Sequence, residues 1–245
     1  MLENNKSNIT SIYDAVNVND NNHYDVVLLQ LPLWGAYHPP LAHGLLKSYL
    51  GHNGISCKSI DANAHIYTTR GKKYFDFWHV KHSQSEKLFI RENMVKMYKD
   101  FRPLMLYYMN EIKRASPLVV GCSVFDSSRI LTEIFFEDLR KHLPGYKHVL
   151  GGPGVAHFMK NTDRLISLDH IDAVCQDEGE NALVDYVKAI KNNSNTPVAG
   201  MVYKKEGQII QGPPSMYKGK LDTLPFPDFD GVNIKHYSER VLPLY

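Results

Sequence analysis

The sequence predicts an α/β protein built on a doubly wound parallel sheet. Three apolar runs of strand length carry that expectation, each ending in small or polar residues ahead of a helix-like segment. Leu118–Cys122 ends at Ser123, His148–Leu150 ends at Gly151-Gly152, and Ile171–Cys175 ends near Glu178-Gly179-Glu180. Continuous apolar strands alternating with helices mean a sheet covered on both faces. In such a sheet ligands bind in the crevice outside the carboxyl ends of the strands, where these small and polar residues fall.

The elements follow in order. Residues 1–23 are polar and Asn-rich and read as a flexible leader. Asp25–Leu31 is the first buried strand, running into PLWGAYHPP. Pro39 and Pro40 suit the entrance of a helix over Leu41–His52, because a proline in the first turn forfeits no needed hydrogen bond. Leu41, Leu45, Leu46 and Leu50 recur there at helical spacing, and Asn53-Gly54 ends the run. Ile55–Ile60 is the second strand, ending at Asp61-Ala62-Asn63. Residues 67–115 interrupt the rhythm and read as a helical insertion. Phe89, Met94, Met97, Tyr98 and Phe101 give it an apolar face for packing or, alternatively, for capping a ligand. Leu118–Cys122, Lys147–Leu150 and Ile171–Cys175 are strands three to five, with helices over Ser128–His142, Asn161–Leu168 and Glu178–Lys191. Val198–Lys204 and Gln208–Gln211 around Lys205-Glu206-Gly207 read as a β-hairpin. The organisation is then a Rossmann-like (flavodoxin-like) five-stranded parallel domain over 24–195, a hairpin over 196–212 and a Pro-rich linker over 213–245.

Composition narrows the function. At 245 residues, 43% hydrophobic and 22% charged, the chain can bury a real core. A net charge of +2 gives no argument for a nucleic-acid partner, and no apolar run approaches the ~18 residues of a membrane span. The start has no basic region ahead of an apolar one, so it does not read as a secretory signal, and a cytoplasmic location is expected. Cys57, Cys122 and Cys175 are widely spaced and read as small buried hydrophobes, with no metal-ligand spacing. His38, His43, His65 and His157 fall on crevice-side loops or helix starts but show no H-E-x-x-H spacing, and packing or surface roles are expected.

Gly151-Gly152-Pro153-Gly154 lets backbone approach a ligand closely, and Ser123 on the neighbouring strand can offer a hydroxyl to the same crevice. Glu178-Gly179-Glu180 suits either capping of the following helix or contact with a ligand at the rim. The first strand leads to LPLWGAYHPP rather than G-x-G-x-x-G, and neither a P-loop nor G-x-S-x-G occurs.

These pieces resemble the N-terminal cobalamin (B12)-binding domain of B12-dependent radical S-adenosylmethionine enzymes, over roughly Asp25 to Asp230. HPPLAHGLLKSYLGHNG is similar to the family's Pro-Pro-Leu opening of the first helix, and GISCKSIDAN to its second strand. GCSVFDS and LGGPGVA resemble its Ser-bearing third and Gly-Gly fourth strands. AVCQDEGENALVDYV resembles its Gly-Glu-Gly-Glu segment, with Gln176-Asp177 in place of the first Gly. PVAGMVYKKEGQII and LDTLPFPDFD resemble the hairpin and Leu-Pro-x-Pro-Asp linker ahead of the radical core, and are the most specific pieces.

The resemblance implies cobalamin as cofactor, its nucleotide tail beside Ser123, Val124, Gly151, Gly152 and Pro153. The corrin would lie over Trp34, Gly35, His38 and Pro40, Asp61 and Asn63, and Glu178, Gly179 and Glu180. No catalytic or metal-ligating residue is implied, and the D-x-H-x-x-G axial-histidine motif is absent, as is common in the family. The C-x-x-x-C-x-x-C of the radical core is also absent, so a [4Fe-4S] cluster and S-adenosylmethionine are expected in a C-terminal radical domain outside this sequence. The implied activity is methyl transfer or related tailoring at an unactivated carbon of a small-molecule or peptide substrate. The alternatives are a non-catalytic domain of the same lineage without cobalamin, and a flavodoxin-like domain for a flavin or nucleotide, which the hairpin and linker disfavour.

Overall fold

The computed structural model describes residues 23–79, 82–155, 161–215 and 221–237. The leader up to residue 22, His157, and linker residues 216–220 and 238–245 lie outside the described residues.

Strand β1 (Val26–Gln30) is buried along its whole length, as the apolar run Val26–Leu29 requires, with Gln30 buried at its end. It pairs in parallel with β2 (Cys57–Asp61) on one side and β3 (Val119–Ser123) on the other. Strands β4 (Lys147–Gly151) and β5 (Ala173–Cys175) continue the parallel sheet. Strands β6 (Met201–Lys205) and β7 (Gln208–Gln211) then extend it antiparallel, giving the order β2-β1-β3-β4-β5-β6-β7. The five parallel strands are those expected, and the expected hairpin joins them, making one seven-stranded mixed sheet. The reason is burial: Val202 packs into the core on one face, while Met201 and Tyr203 pack into the core on the other. Glu206 and Gly207 both adopt positive φ, 49° and 77°, as a tight two-residue hairpin turn demands.

Helices cover both faces. Helix α1 (Leu41–His52) and helix α7 (Gly179–Lys191) lie on the face of Val26 and Leu28. The opposite face, with Val27 and Leu29, is covered by α4 (Arg91–Ala115), α5 (Arg129–His142) and α6 (Thr162–Ser167). The segment expected as an insertion is the β2-to-β3 crossover itself. It begins with α2 (Ala62–Arg70), capped by the Asp61 carboxylate accepting from the Ala64 N–H at 2.9 Å, and continues through α3 (Phe75–Trp78) into α4. Met94, Met97, Phe101, Met105 and Ile112 of α4 are fully buried, so this face is packing; Phe89 precedes the helix and is 47% exposed. All three cysteines are free and buried.

The described part of the linker folds back as a strap. The Asp228 N–H donates to the Gly44 carbonyl at 2.9 Å, and Lys47 pairs with the Asp228 carboxylate at 2.9 Å. Farther on, the Tyr237 hydroxyl donates to Asp61 at the end of β2.

Candidate functional site

Parallel register sets Leu28, Gly121 and Val149 side by side on β1, β3 and β4. Two residues along each of the latter strands, Ser123 stands beside Gly151. Every second residue faces the same side of a sheet, so these two rows share the face covered by α1 and α7. With glycine in the middle of the inner row and only Ser123 and Gly151 ahead of it on β3 and β4, the sheet is hollowed at its carboxyl edge. Leu41, Ala42, Leu45 and Leu46 of α1 and Gly179, Glu180 and Leu183 of α7 roof the hollow, leaving a cavity of about 330 Å³. The roof is tight on one side, since a Cβ on Gly179 would come within 3.2 Å of the Leu46 side chain.

Of the residues expected from sequence, Ser123, Gly151, Gly152, Gly179 and Glu180 line this cavity. Gly152 has φ +91°, and a Cβ there would meet the Val124 carbonyl at 3.0 Å, so glycine serves the turn as much as the cavity. Val124 is buried in the opposite core; its backbone ties the β4 turn down through bonds to the Gly151 carbonyl (2.7 Å) and from the Gly154 N–H (2.8 Å). Pro153 is exposed on that turn. Glu178 occupies the N-cap position of α7 and makes no side-chain capping bond there.

The remaining expected residues form a separate ledge after β1. Trp34 stacks on Phe125 with ring centroids 3.6 Å apart, while Gly35 and His38 are exposed and Pro40 is buried at the entrance of α1. Asn63 is fully buried and holds the ledge with its whole bonding capacity. Its Oδ1 accepts from the Trp34 N–H (3.2 Å) and the Trp78 indole (3.0 Å), and its Nδ2 donates to the Trp34 (3.1 Å) and Gly35 (3.4 Å) carbonyls. Asp61 caps α2 and accepts from Tyr237; burial holds its carboxyl above the usual range, against the lowering effect of those bonds.

Gly121, Leu28 and Val149 were not singled out in the sequence. Gly121 carries the one signal that points to them, a glycine inside a strand, which marks a close approach. Cys122 and Cys175 also line the cavity, but burial pushes both thiols up to about 12, so neither supplies a thiolate. Among the described residues no three His, Cys, Asp or Glu side chains converge as a metal site, and no helix is long and apolar enough to cross a membrane.

No protein-family model and no curated protein matches the sequence. Solved structures do match. The cobalamin-dependent S-adenosylmethionine radical enzyme OxsB, with aqua-cobalamin and S-adenosylmethionine bound, aligns over 90% of this chain with a TM-score of 0.57 at 18% identity. This chain shares its fold with OxsB. Apo OxsB aligns over 86% of this chain at a TM-score of 0.54 and 19% identity. The radical S-adenosylmethionine methyltransferase TsrM from Kitasatospora setae, with its tryptophan substrate and an analogue of S-adenosylmethionine bound, gives a TM-score of 0.49 at 16% identity over 87% of this chain and 37% of its own. The chain spans 26% and 24% of the two OxsB chains, about a quarter of that enzyme.

Proposed function

We propose that this chain is the cobalamin-binding domain of a radical S-adenosylmethionine enzyme, with the nucleotide tail of the cofactor in the cavity under α1 and α7. The observation that carries the reading is the hollow cut into the sheet by Gly121, Ser123 and Gly151 at the carboxyl edge. Its volume of about 330 Å³ is at the lower end of ligand pockets, ~300–1,000 Å³. That admits a flat bicyclic base with part of its sugar and leaves a macrocycle outside. The Asp177 and Glu180 carboxylates at the mouth suit acceptance from sugar hydroxyls.

The corrin would rest on the ledge of Trp34, Gly35, His38 and Pro40 and against the Glu178–Glu180 rim. Asn63 and Asp61 would act by holding that ledge and the start of α2, since their polar atoms are engaged. Bound cobalamin would supply cobalt-centred methyl transfer; this chain's residues would orient it and exclude water. A [4Fe-4S] cluster, S-adenosylmethionine and the substrate would belong to a radical domain beyond this chain. Methyl transfer to an unactivated carbon of a small molecule or peptide rests on the resemblance of the hairpin and the LDTLPFPDFD strap.

The test is retention of hydroxocobalamin through gel filtration, read by visible absorption. The wild-type chain should carry close to one equivalent. Ser123→Leu and Leu45→Trp, which fill the cavity from the sheet and from the roof, should lose it while keeping the wild-type circular dichroism. Gly152 is a poorer choice, because any side chain at φ +91° strains the turn. Folded wild-type protein that elutes colourless would refute the reading and leave a domain of this fold without the cofactor.

A further inference from the structure

The interior of the cavity differs from its mouth. Leu28, Gly121 and Val149 form the inner row, and Leu45, Leu46 and Leu183 close over them. None of these side chains donates or accepts a hydrogen bond. The backbone of the inner row is paired strand to strand, so its polar groups are turned within the sheet. Gln30, the next residue of β1 on this face, donates from Nε2 to the Leu31 carbonyl (3.3 Å); its buried Oε1 has no hydrogen-bond partner among the described residues, but the side chain does not line the cavity. The two thiols point their hydrogens at backbone, Cys122 to the Ser123 carbonyl (3.7 Å) and Cys175 to the Asp177 carbonyl (3.5 Å). Polar side chains begin only at the outer row, with the Ser123 hydroxyl, followed by Asp177 and Glu180 at the rim. A ring that passes Ser123 therefore meets apolar wall on its leading edge.

Resting on the cofactor reading above, we infer that the cavity selects the base of the tail, accepting a benzimidazole-type base and discriminating against a purine. The leading edge of dimethylbenzimidazole is C–H and methyl, which loses nothing on leaving water. A purine presents ring nitrogens and an exocyclic amino group there. Water satisfies them outside and no side chain of the inner row satisfies them inside, so the cost is that of burying unpartnered polar groups. Ser123 offers one hydroxyl to whichever ring nitrogen lies at the mouth and does not distinguish the two. Apolar pockets discriminate against isosteres with an added polar group by about 10- to 100-fold, and that is the ratio expected here.

The experiment measures the affinity of the wild-type chain, by equilibrium dialysis, for three corrinoids in the same cobalt state. They are cobalamin, its adenine-based analogue, and cobinamide, which has no base. Cobalamin should bind tightest and the adenine analogue about 10- to 100-fold more weakly. Leu45→Gln, on a half-buried position of α1, puts an amide over the hollow and should narrow that ratio. Equal affinity for cobalamin and the adenine analogue would overturn the selectivity and leave the cofactor reading standing. Cobinamide bound as tightly as cobalamin, or a ratio untouched by Leu45→Gln, would place the base outside this cavity and overturn it too. Failure of all three corrinoids to bind would instead remove the cofactor reading, and the inference with it.

Discussion

Replacing Asn63 with alanine tests how the ledge after β1 is held. Four hydrogen bonds of 3.0–3.4 Å converge on this one fully buried side chain. Each net bond is worth about 1 kcal/mol, and a buried partner left unsatisfied costs more. Trp34 is 40% exposed and Gly35 is open to solvent, so water can replace part of what is lost on that side. The Trp78 indole and the space vacated by the amide remain uncompensated. The expected loss is therefore about 2–3 kcal/mol rather than the full sum of four bonds. Both tryptophans of the chain, Trp34 and Trp78, bond to Asn63, so intrinsic fluorescence during urea unfolding reads the change directly. The midpoint should fall, and native emission should shift to the red as the Trp34–Phe125 stack loosens. A loss below about 0.5 kcal/mol with unchanged emission would refute the reasoning. It would show that the stack and the Ser127 hydroxyl, which donates to the Leu33 carbonyl at 2.5 Å, hold the ledge without Asn63.

Two further outcomes are expected. His43 of α1 is fully buried, and burial lowers its pKa to about 4, below the 6.5 usual for histidine. The unfolded chain then binds a proton between those values that the folded chain refuses, so stability falls as pH drops through this window. At pH 5 the loss is about 2 kcal/mol relative to pH 7. His43→Leu should flatten this part of the urea-unfolding pH profile, and an unchanged slope would place the proton uptake on other groups. Gly44→Ala should act with opposite sign on two elements. It favours helix α1 by up to about 1 kcal/mol, but the added Cβ would stand 2.7 Å from the Phe229 ring and 3.0 Å from the Pro227 side chain. Hydrogen exchange should quicken at the backbone N–H groups of 228–237 while α1 keeps its protection, and a strap protected as in the wild type would count against this packing.

The fold was legible where one element explains its own residues. Buried strands read as unbroken apolar runs, and Leu41–His52 was bounded by its prolines and by Asn53-Gly54. Legibility ended where the reason for a residue lies far along the chain. Met201-Val202-Tyr203 contains buried side chains on both faces, the mark of an interior strand, but a turn after a short strand already reads as a free hairpin. ANAHIYTTR has too weak an apolar stripe to announce α2, whose start is set by the Asp61 cap. At the site, Ser123 and the Gly151-Gly152 pair were visible because they end strands. Gly121 matters only because register places it between Leu28 and Val149, which no local pattern states.

The strap and the cavity meet on one helix. Leu45 and Leu46 face the hollow, while Gly44 and Lys47 on the same two turns receive the strap, through the Asp228 backbone and the Lys47 bonds to the Asp228 carboxylate and the Asp230 carbonyl (2.7 Å). A helix is stiff along its axis, so its two sides cannot be repositioned independently. The strap's far end is fastened where Tyr237 donates to Asp61, the same carboxylate that starts α2 and so places Asn63 under the ledge. Were the strap to shift, these contacts would carry the shift to the roof of the cavity through α1 and to the ledge through Asp61. The Gly44→Ala variant probes the first of these links and Asn63→Ala the end of the second. Coupling of this kind is physical only if both variants change the same binding equilibrium. Weaker corrinoid retention in each, with the cavity-lining residues untouched, is the result that would establish it.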